Sequence, residues 1–187
     1  MALLTEGVVR EAARSVRSRF NESASAILSA SLESHRTSFD VFLSHSRLDS
    51  EIVLGVKAIL EAAGQSVYVD WINDTQLDRT AVTPSTANKL RERMRQSQSL
   101  FYIHSVHASS SRWTPWELGY FDALNGNVAI LPIVQSSSET TFHGQEYLGL
   151  YPYVDLTGST IYIHLNSFTY IKFDAWRRGS DKFRPAA

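Results

Sequence analysis

The 187-residue sequence contains no cysteine, so it can form no disulfide, no thiolate zinc site and no cysteine nucleophile. It also lacks an excess of charge of one sign, because 18 basic and 19 acidic residues give a net charge of -1. We therefore predict neither nucleic acid nor an anionic membrane as a partner. What remains is a chain of 43% apolar composition, long enough to bury one sizeable core.

Long hydrophobic runs are absent as well. No apolar segment approaches the ~20 residues that a membrane-spanning helix needs. The opening Met1-Ala2-Leu3-Leu4 is soon followed by charged residues, so it does not resemble a secretory signal peptide. We expect a soluble, cytoplasmic protein.

Residues 1–36 have the pattern of an N-terminal helical extension. Apolar side chains recur every four residues, with three more beside them: Leu4, Val8, Ala12, Val16, Phe20, Ala24, Leu28 and Leu32, then Val9, Ala13 and Ile27. This spacing predicts one amphipathic helix or a pair of helices. The basic stretch 10–19 suggests a membrane-surface or targeting role, but the interspersed glutamates argue against it. We expect the extension to dock on the rest of the chain or on a second copy.

From residue 37 onward, strand and helix patterns alternate. Apolar runs predict strands at 39–43, 66–69, 100–103 and 128–134. Amphipathic patterns predict helices at 49–64, with Asp49 as the N-cap, and at 85–96 and 109–124. Two short strands, 151–156 and 161–164, and a closing helix, 168–178, are expected to follow. This order predicts a parallel sheet covered by helices on both faces.

In parallel α/β sheets, ligands bind beyond the carboxyl ends of the strands. Polar and aromatic residues stand at the predicted strand ends: Ser44, His45, Ser46, Asp70, Trp71, His104 and Ser105. Trp113 and Glu117 lie on the helix that follows the third of these strands. We expect all of these residues to converge on one cleft.

The segment Trp113-Thr114-Pro115-Trp116-Glu117 places one carboxylate among aromatic rings. In a helix, five of its residues and neighbours share a face: Trp113, Trp116, Glu117, Tyr120 and Phe121. A partly desolvated carboxylate can hydrogen-bond a ribose and stabilise a cation, while the rings stack on a heterocycle. The alternative is an aromatic core stripe with a solvated glutamate at its edge.

Several residues of the predicted cleft also have structural explanations. Phe42 is equally suited to the core, and Ser46 to capping the next helix. For His45, a structural hydrogen bond explains the position better than acid–base catalysis. The spacing His104-x-x-His107 suits a metal ion, but no third ligand is evident, and we predict no metal site.

Three regions resemble the signature boxes of a Toll/interleukin-1 receptor (TIR) domain. They are Phe-Asp-Val-Phe-Leu-Ser-His-Ser at 39–46, Val-Tyr-Val-Asp-Trp at 67–71 with the long loop after it, and the helix motif Trp113-x-x-x-Glu117. The resemblance covers about residues 38–165, and its strength lies in the order and spacing of the boxes. Residues 113–120 are most similar to bacterial stand-alone TIR proteins, including those of Thoeris-type anti-phage systems. This implies a flavodoxin-like fold, with the TIR domain at 37–187 after the extension at 1–36.

Members of that branch cleave NAD+, and several make cyclic or modified ADP-ribose signals. The resemblance therefore implies NAD+ as the substrate, no cofactor, self-association of the chain and a downstream effector that senses the product. It assigns catalysis to Glu117 and substrate contacts to six other residues: Phe42, Ser44, Asp70, Trp71, Trp113 and Trp116. The two tryptophans would form the nicotinamide pocket, and Asp70 and Trp71 begin a loop that meets the neighbouring subunit in many TIR assemblies.

A single carboxylate is chemically sufficient for this reaction, because nicotinamide leaves as a neutral base and needs no general acid. Hydrolysis and cyclisation both remain open, and we favour a signal because the chain contains no second effector domain. Two other functions also remain open. One is a non-catalytic TIR adaptor that acts by self-assembly, and the other is an enzyme like the nucleoside deoxyribosyltransferases, with a carboxylate nucleophile.

Overall fold

The structure, a computed structural model, describes residues 3–30, 36–70, 83–142, 144–179 and 183–185. Its strands are β1 Leu4–Thr5, β2 Phe39–Ser44, β3 Val67–Tyr68, β4 Ser97–His104, β5 Val128–Val134, β6 Tyr153–Thr157, β7 Thr160–Asn166, β8 Thr169–Lys172 and β9 Arg184–Pro185. Its helices are α1 Glu6–Phe20, α2 Ala24–Ala30, α3 Ser50–Ala62, α4 Pro84–Arg95, α5 Thr114–Asn125 and α6 Phe173–Arg177. None of the described helices is long and apolar enough to cross a membrane.

The sheet runs in the order β3-β2-β4-β5-β6-β7-β8-β9, and β1 pairs with β5. The pairs from β3 to β6 are parallel, and β1 is also parallel to β5. Counted from β2, the first five strands have the order 2-1-3-4-5 of flavodoxin-like sheets, which confirms the predicted fold class. The order reverses between β2 and β4, and a ligand crevice is expected beyond the carboxyl ends of these two strands.

Two apolar layers cover the sheet, because alternate residues of each strand point to opposite faces. In β2, Val41 and Leu43 join the layer under α1, α2 and α3, whereas Phe42 joins the layer under α4 and α5. The second layer is rich in aromatic rings and contains Tyr102 and Trp113. The candidate site lies on this aromatic side.

The N-terminal extension is helical, as predicted, and it docks on the domain. Thr5 caps α1 by accepting a hydrogen bond of 3.3 Å from the amide of Val8. Helix α1 packs along α3 and buries Val9 and Ala13, whereas Val8 and Phe20 of the predicted stripe are exposed. Within α1, the buried residues are therefore the two that the sequence pattern places beside the main stripe, whereas Leu4, Ala24 and Leu28 of the main stripe are buried outside this helix.

The C-terminal part differs from the predicted closing helix at 168–178. Residues Thr169–Lys172 form β8, which is antiparallel to β7, and only Phe173–Arg177 are helical. The reason is side-chain pairing: Ile171 lies opposite Ile163, and β-branched and aromatic residues favour a pleated surface. The predicted strands at 151–156 and 161–164 are present as β6 and β7.

Candidate active site

The carboxylate of Glu117 is buried at the end of β2. Its side chain is 0% exposed, and Oε2 accepts a hydrogen bond of 2.6 Å from Ser44 Oγ. Glu117 belongs to the first turn of α5, where the helix dipole favours a negative group. The alternative of a solvated glutamate at the edge of a core stripe is therefore wrong, and the predicted convergence of Ser44 and Glu117 is confirmed.

Tyr102 completes this arrangement, although sequence reasoning did not identify it. It lies beside Ser44 in the sheet, and its hydroxyl oxygen is 3.5 Å from Thr114 Oγ1. Burial, with a smaller effect of the negative charge of Glu117, raises the pKa of Tyr102 to about 12. The Tyr102 phenol is therefore protonated at neutral pH, and it lies within electrostatic range of the carboxylate. The register of the strands could have identified Tyr102, because Tyr102 pairs with Ser44.

The aromatic rings of the helix motif form two rows. Trp113, Glu117 and Phe121 are buried, whereas Trp116 and Tyr120 are partly exposed. The rings of Trp113 and Trp116 meet edge to face at 5.5 Å, and Trp116 stacks on Tyr120 at 5.8 Å. Helix α5 begins at Thr114, with Pro115 in its first turn, so Trp113 stands just before the helix.

Phe42 and Asp70 lie at the same edge of the sheet but make different contacts. Phe42 is buried and stacks on Tyr68 with ring centroids 5.0 Å apart. Asp70 is also buried, and its Oδ1 is 3.2 Å from His45 Nε2. The nucleotide contacts of Phe42 and Asp70 stay predictions, and Trp71 lies outside the described residues.

His45 and Ser46 have the structural roles expected of them. His45 Nδ1 lies 2.7 Å from the carbonyl oxygen of Leu43, a hydrogen bond that fixes the ring. Ser46 caps the following turn by accepting a hydrogen bond of 3.3 Å from the amide of Leu48.

Asp49 occupies the N-cap position of α3, as predicted. The Asp49 side chain makes no capping hydrogen bond and instead accepts one of 2.5 Å from Ser105 Oγ. Burial raises the pKa of Asp49, since the buried charged form loses its hydration. Ser105 therefore lies at the carboxyl edge of the sheet, as expected, but its hydroxyl contacts Asp49 rather than Glu117.

The two histidines of the 104–107 spacing separate at the end of β4. His104 is partly buried, with its ring centroid 5.5 Å from that of Phe142, whereas His107 is exposed. Among the described residues, no three His, Asp or Glu side chains are grouped so that they could hold a metal ion. Asp122, five residues after Glu117, accepts a hydrogen bond from the hydroxyl of Tyr151.

Sequence comparison relates the chain to proteins named as cyclic ADP-D-ribose synthases. ThsB' of Bacillus cereus strain MSX-D12, named a probable 3' cyclic ADP-D-ribose synthase, is 43% identical over 189 residues, which cover 94% of this chain and 98% of that protein. TIR2 of Cytobacillus dafuensis, named a putative cyclic ADP-D-ribose synthase, is 31% identical over 83 residues, 44% of this chain and 22% of that protein. The sequence profile described as the TIR domain matches residues 41–168. The chain therefore belongs to the TIR domain family.

Proposed function

We propose that this chain is a TIR enzyme that cleaves the nicotinamide–ribose bond of NAD+ and forms a cyclic ADP-ribose. The observation that carries this proposal is the buried carboxylate of Glu117, held by Ser44 where the strand order reverses. Similarity over nearly the whole chain to a protein named as a cyclic ADP-ribose synthase supports it. We propose that the product serves as a signal in bacterial anti-phage defence, made from the cytoplasmic NAD+ pool.

In the first step, the bond between the ribose carbon and the nicotinamide nitrogen breaks. The electron pair of the bond goes to the nitrogen, so a neutral base leaves and positive charge develops on the ribose. A carboxylate next to that ribose stabilises the oxocarbenium-like state, as in glycoside hydrolysis. Glu117 has this role in our proposal, and Ser44 holds its Oε2 in place.

In the second step, an oxygen of the same dinucleotide captures the sugar cation. The designation 3' in the name of the Bacillus cereus protein indicates a ribose hydroxyl as that oxygen. A new carbon–oxygen bond forms and the hydroxyl proton is released, for which the nearby carboxylate is a suitable acceptor. An internal hydroxyl held close to the cation has a high effective concentration and outcompetes water.

The remaining predicted contacts fit this chemistry. The rings of Trp113 and Trp116 stand beside Glu117 and would enclose the flat nicotinamide. Phe42, in the same aromatic layer, would contact the nucleotide. Asp70, which contacts His45, would contact the substrate at the edge of the site. These assignments are part of the proposal.

Access to the carboxylate requires a change in its surroundings. Because Glu117 has no exposed surface in the single chain, a ribose can touch it only after neighbouring groups move. We infer that contact between copies of the chain opens and completes the site, and that a separate effector senses the product. Nicotinamide release per molecule should therefore rise with protein concentration, and a constant rate across the range would contradict this inference.

The central test is Glu117→Gln, which keeps the shape of the side chain and removes its charge. We expect nicotinamide release to be lost while circular dichroism and the unfolding midpoint show a folded protein. The control is Glu61→Gln, at an exposed position near the end of α3. Mass spectrometry of the product separates a cyclic product from linear ADP-ribose.

Three results of this experiment would overturn the proposal. Equal turnover by Glu117→Gln would remove the carboxylate from the mechanism. Wild-type protein that assembles yet leaves NAD+ intact would identify an adaptor. Inhibition of NAD+ cleavage by free deoxynucleosides, together with their conversion, would identify a nucleoside transferase.

A further inference from the structure

An open pocket of about 480 Å³ lies beyond the carboxyl ends of β4 and β5. Its walls include His104, Ser105, Gln135, Glu139, Phe142 and Gln145. The volume falls within the range of roughly 300–1,000 Å³ that small-molecule sites occupy. We propose that this pocket, called here the β4–β5 pocket, holds the adenosine end of NAD+. The inference rests on the proposed function, because it concerns the same substrate.

The position of the pocket suits a second part of the substrate. Along β4, Tyr102 and His104 point to the same face of the sheet, and two strand residues span about 6.6 Å. The negative charge of Glu117 contributes to the raised pKa of Tyr102. Phe142, in the pocket wall, packs against the same aromatic layer as Tyr102. His104, in the pocket wall, thus lies about 6.6 Å along β4 from Tyr102.

The walls of the pocket combine aromatic rings with amide groups. The rings of His104 and Phe142 have centroids 5.5 Å apart, and both are partly exposed. The amide oxygen of Gln145 is buried without a hydrogen-bond partner among the described residues. A purine offers a flat face to such rings. Its amino group can donate to the Gln145 oxygen once that side chain turns toward the pocket, which gives the buried acceptor a partner.

The charge of the pocket distinguishes a nucleoside from a phosphate. Among its described lining residues, none is Lys or Arg, and the carboxylate of Glu139 is the ionic group present. A diphosphate would be repelled there, whereas ribose hydroxyls can donate to a carboxylate. The adenosine end of the dinucleotide therefore fits the pocket better than its central diphosphate does.

Close packing maintains one wall of the pocket. A Cβ atom placed on Gly144 would lie 2.9 Å from Cε1 of the His104 ring and 2.7 Å from Cδ1 of Leu148. Gly144 thus allows the backbone at this position to lie directly against the ring. With both ends of NAD+ bound on one side of the sheet, the dinucleotide is bent, and a hydroxyl of the adenosine ribose can approach the sugar cation.

A binding measurement tests the site without turnover. Wild-type protein labelled with 15N is titrated with AMP and, separately, with nicotinamide mononucleotide. We expect AMP to shift the amide signal of Gly144 and the side-chain signals of Gln135 and Gln145, and nicotinamide mononucleotide to leave them unchanged. Shifts only elsewhere, no AMP binding, or equal shifts by both nucleotides would overturn the site.

A matched pair of variants tests the contribution of Gln145. Gln145→Leu should weaken AMP binding and raise the KM for NAD+ about three- to tenfold, the loss expected for one hydrogen bond, with kcat changed much less. Gln65 also has a buried amide oxygen without a described partner, but it precedes β3 at the opposite edge of the sheet. Gln65→Leu should therefore leave both quantities at wild-type values.

Each outcome of the variant experiment has a defined meaning. Equal AMP affinity in wild-type protein and Gln145→Leu would refute the assignment of the pocket. If wild-type protein released no nicotinamide, the proposed function would fail, whereas the AMP titration would still decide whether the β4–β5 pocket binds adenosine. Failure of the pocket and failure of the enzyme are thus separate results.

Discussion

Ser44 Oγ donates a hydrogen bond of 2.6 Å to Glu117 Oε2, joining residues that are 73 positions apart in the chain. The serine ends β2, and the carboxylate belongs to the first turn of α5. Because both residues are fully buried, this bond forms away from competing water and fixes one carboxylate oxygen. In our proposal, the carboxylate held in this way contacts the substrate ribose.

Removing the Ser44 hydroxyl should therefore impair catalysis more than folding. In Ser44→Ala we expect nicotinamide release to fall about 10- to 100-fold, since a hydrogen bond to a charged group is worth about 1.5–3 kcal/mol. The measurement is kcat for NAD+ cleavage, with the urea midpoint as a check on the fold. Ser44→Thr retains the hydroxyl and should keep more activity, and a wild-type rate in Ser44→Ala would exclude a positioning role.

The convergence of Ser44 and Glu117 could be predicted because it depends on topology. Alternating strand and helix patterns imply a parallel sheet, and in such a sheet the carboxyl ends of the strands lie at one edge. The position of Asp70 beside His45 follows from the same rule. None of these predictions required knowledge of side-chain packing.

Other features depend on packing and were missed for that reason. Tyr102 lies in an apolar strand run and looks like an ordinary core aromatic until the register places it beside Ser44. Strand β1 has two residues, too few for a periodic signal, and is defined by its pairing with the end of β5. The sequence predicts a helix where β8 lies, because the pairing of β8 with β7 is a tertiary effect that local patterns do not show.

Gly55 supports the docking of the N-terminal helix. A Cβ atom at this position would lie 2.0 Å from the carbonyl oxygen of Val9, so α1 and α3 are in backbone contact there. Gly55→Ala should lower the free energy of unfolding by about 1–3 kcal/mol, because overpacking forces the helices apart. The measurement is urea denaturation followed by circular dichroism.

The matched control for Gly55 is Gly119→Ala, in the interior of α5. A Cβ atom at Gly119 has no neighbour within 4 Å, and alanine favours a helix over glycine. We expect this variant to gain about 0.5–1 kcal/mol of stability. An equal effect of the two substitutions would show that helix propensity, rather than the contact with Val9, governs the result at Gly55.

His164 should make stability depend on pH. It is buried against Tyr153, with Nε2 3.4 Å from Asp155 Oδ2, and burial lowers its pKa below the ordinary 6.5 despite the opposing effect of that carboxylate. The unfolded chain then takes up the proton at higher pH than the folded chain. The contribution of His164 is therefore complete above about pH 6.5 and is lost as the pH falls from that value through the lower pKa of the folded state.

The test is urea unfolding of wild-type protein and His164→Gln between about pH 5 and 7.5. We expect the free energy of unfolding to fall less steeply toward acid pH in the variant, since the buried titrating group is gone. His107→Gln, at an exposed position, should keep the wild-type slope. Parallel slopes for wild type and His164→Gln would show that the burial of His164 does not govern the acid response.

The N-terminal extension offers a test of self-association that leaves its docking intact. Val8 and Phe20 are 55% and 62% exposed, so neither contributes to the buried contact of α1 with α3. If copies of the chain meet through the extension, a Val8→Ser/Phe20→Ser double variant should shift the mass distribution toward the monomer and lower NAD+ cleavage per molecule.

Light scattering after gel filtration measures the mass. The matched control is Leu165→Ser/Phe168→Ser, which removes two exposed apolar side chains near the β7–β8 turn. Loss of assembly in the control alone would place the contact on that hairpin, and unchanged mass and turnover in the Val8/Phe20 variant would refute a role of the extension.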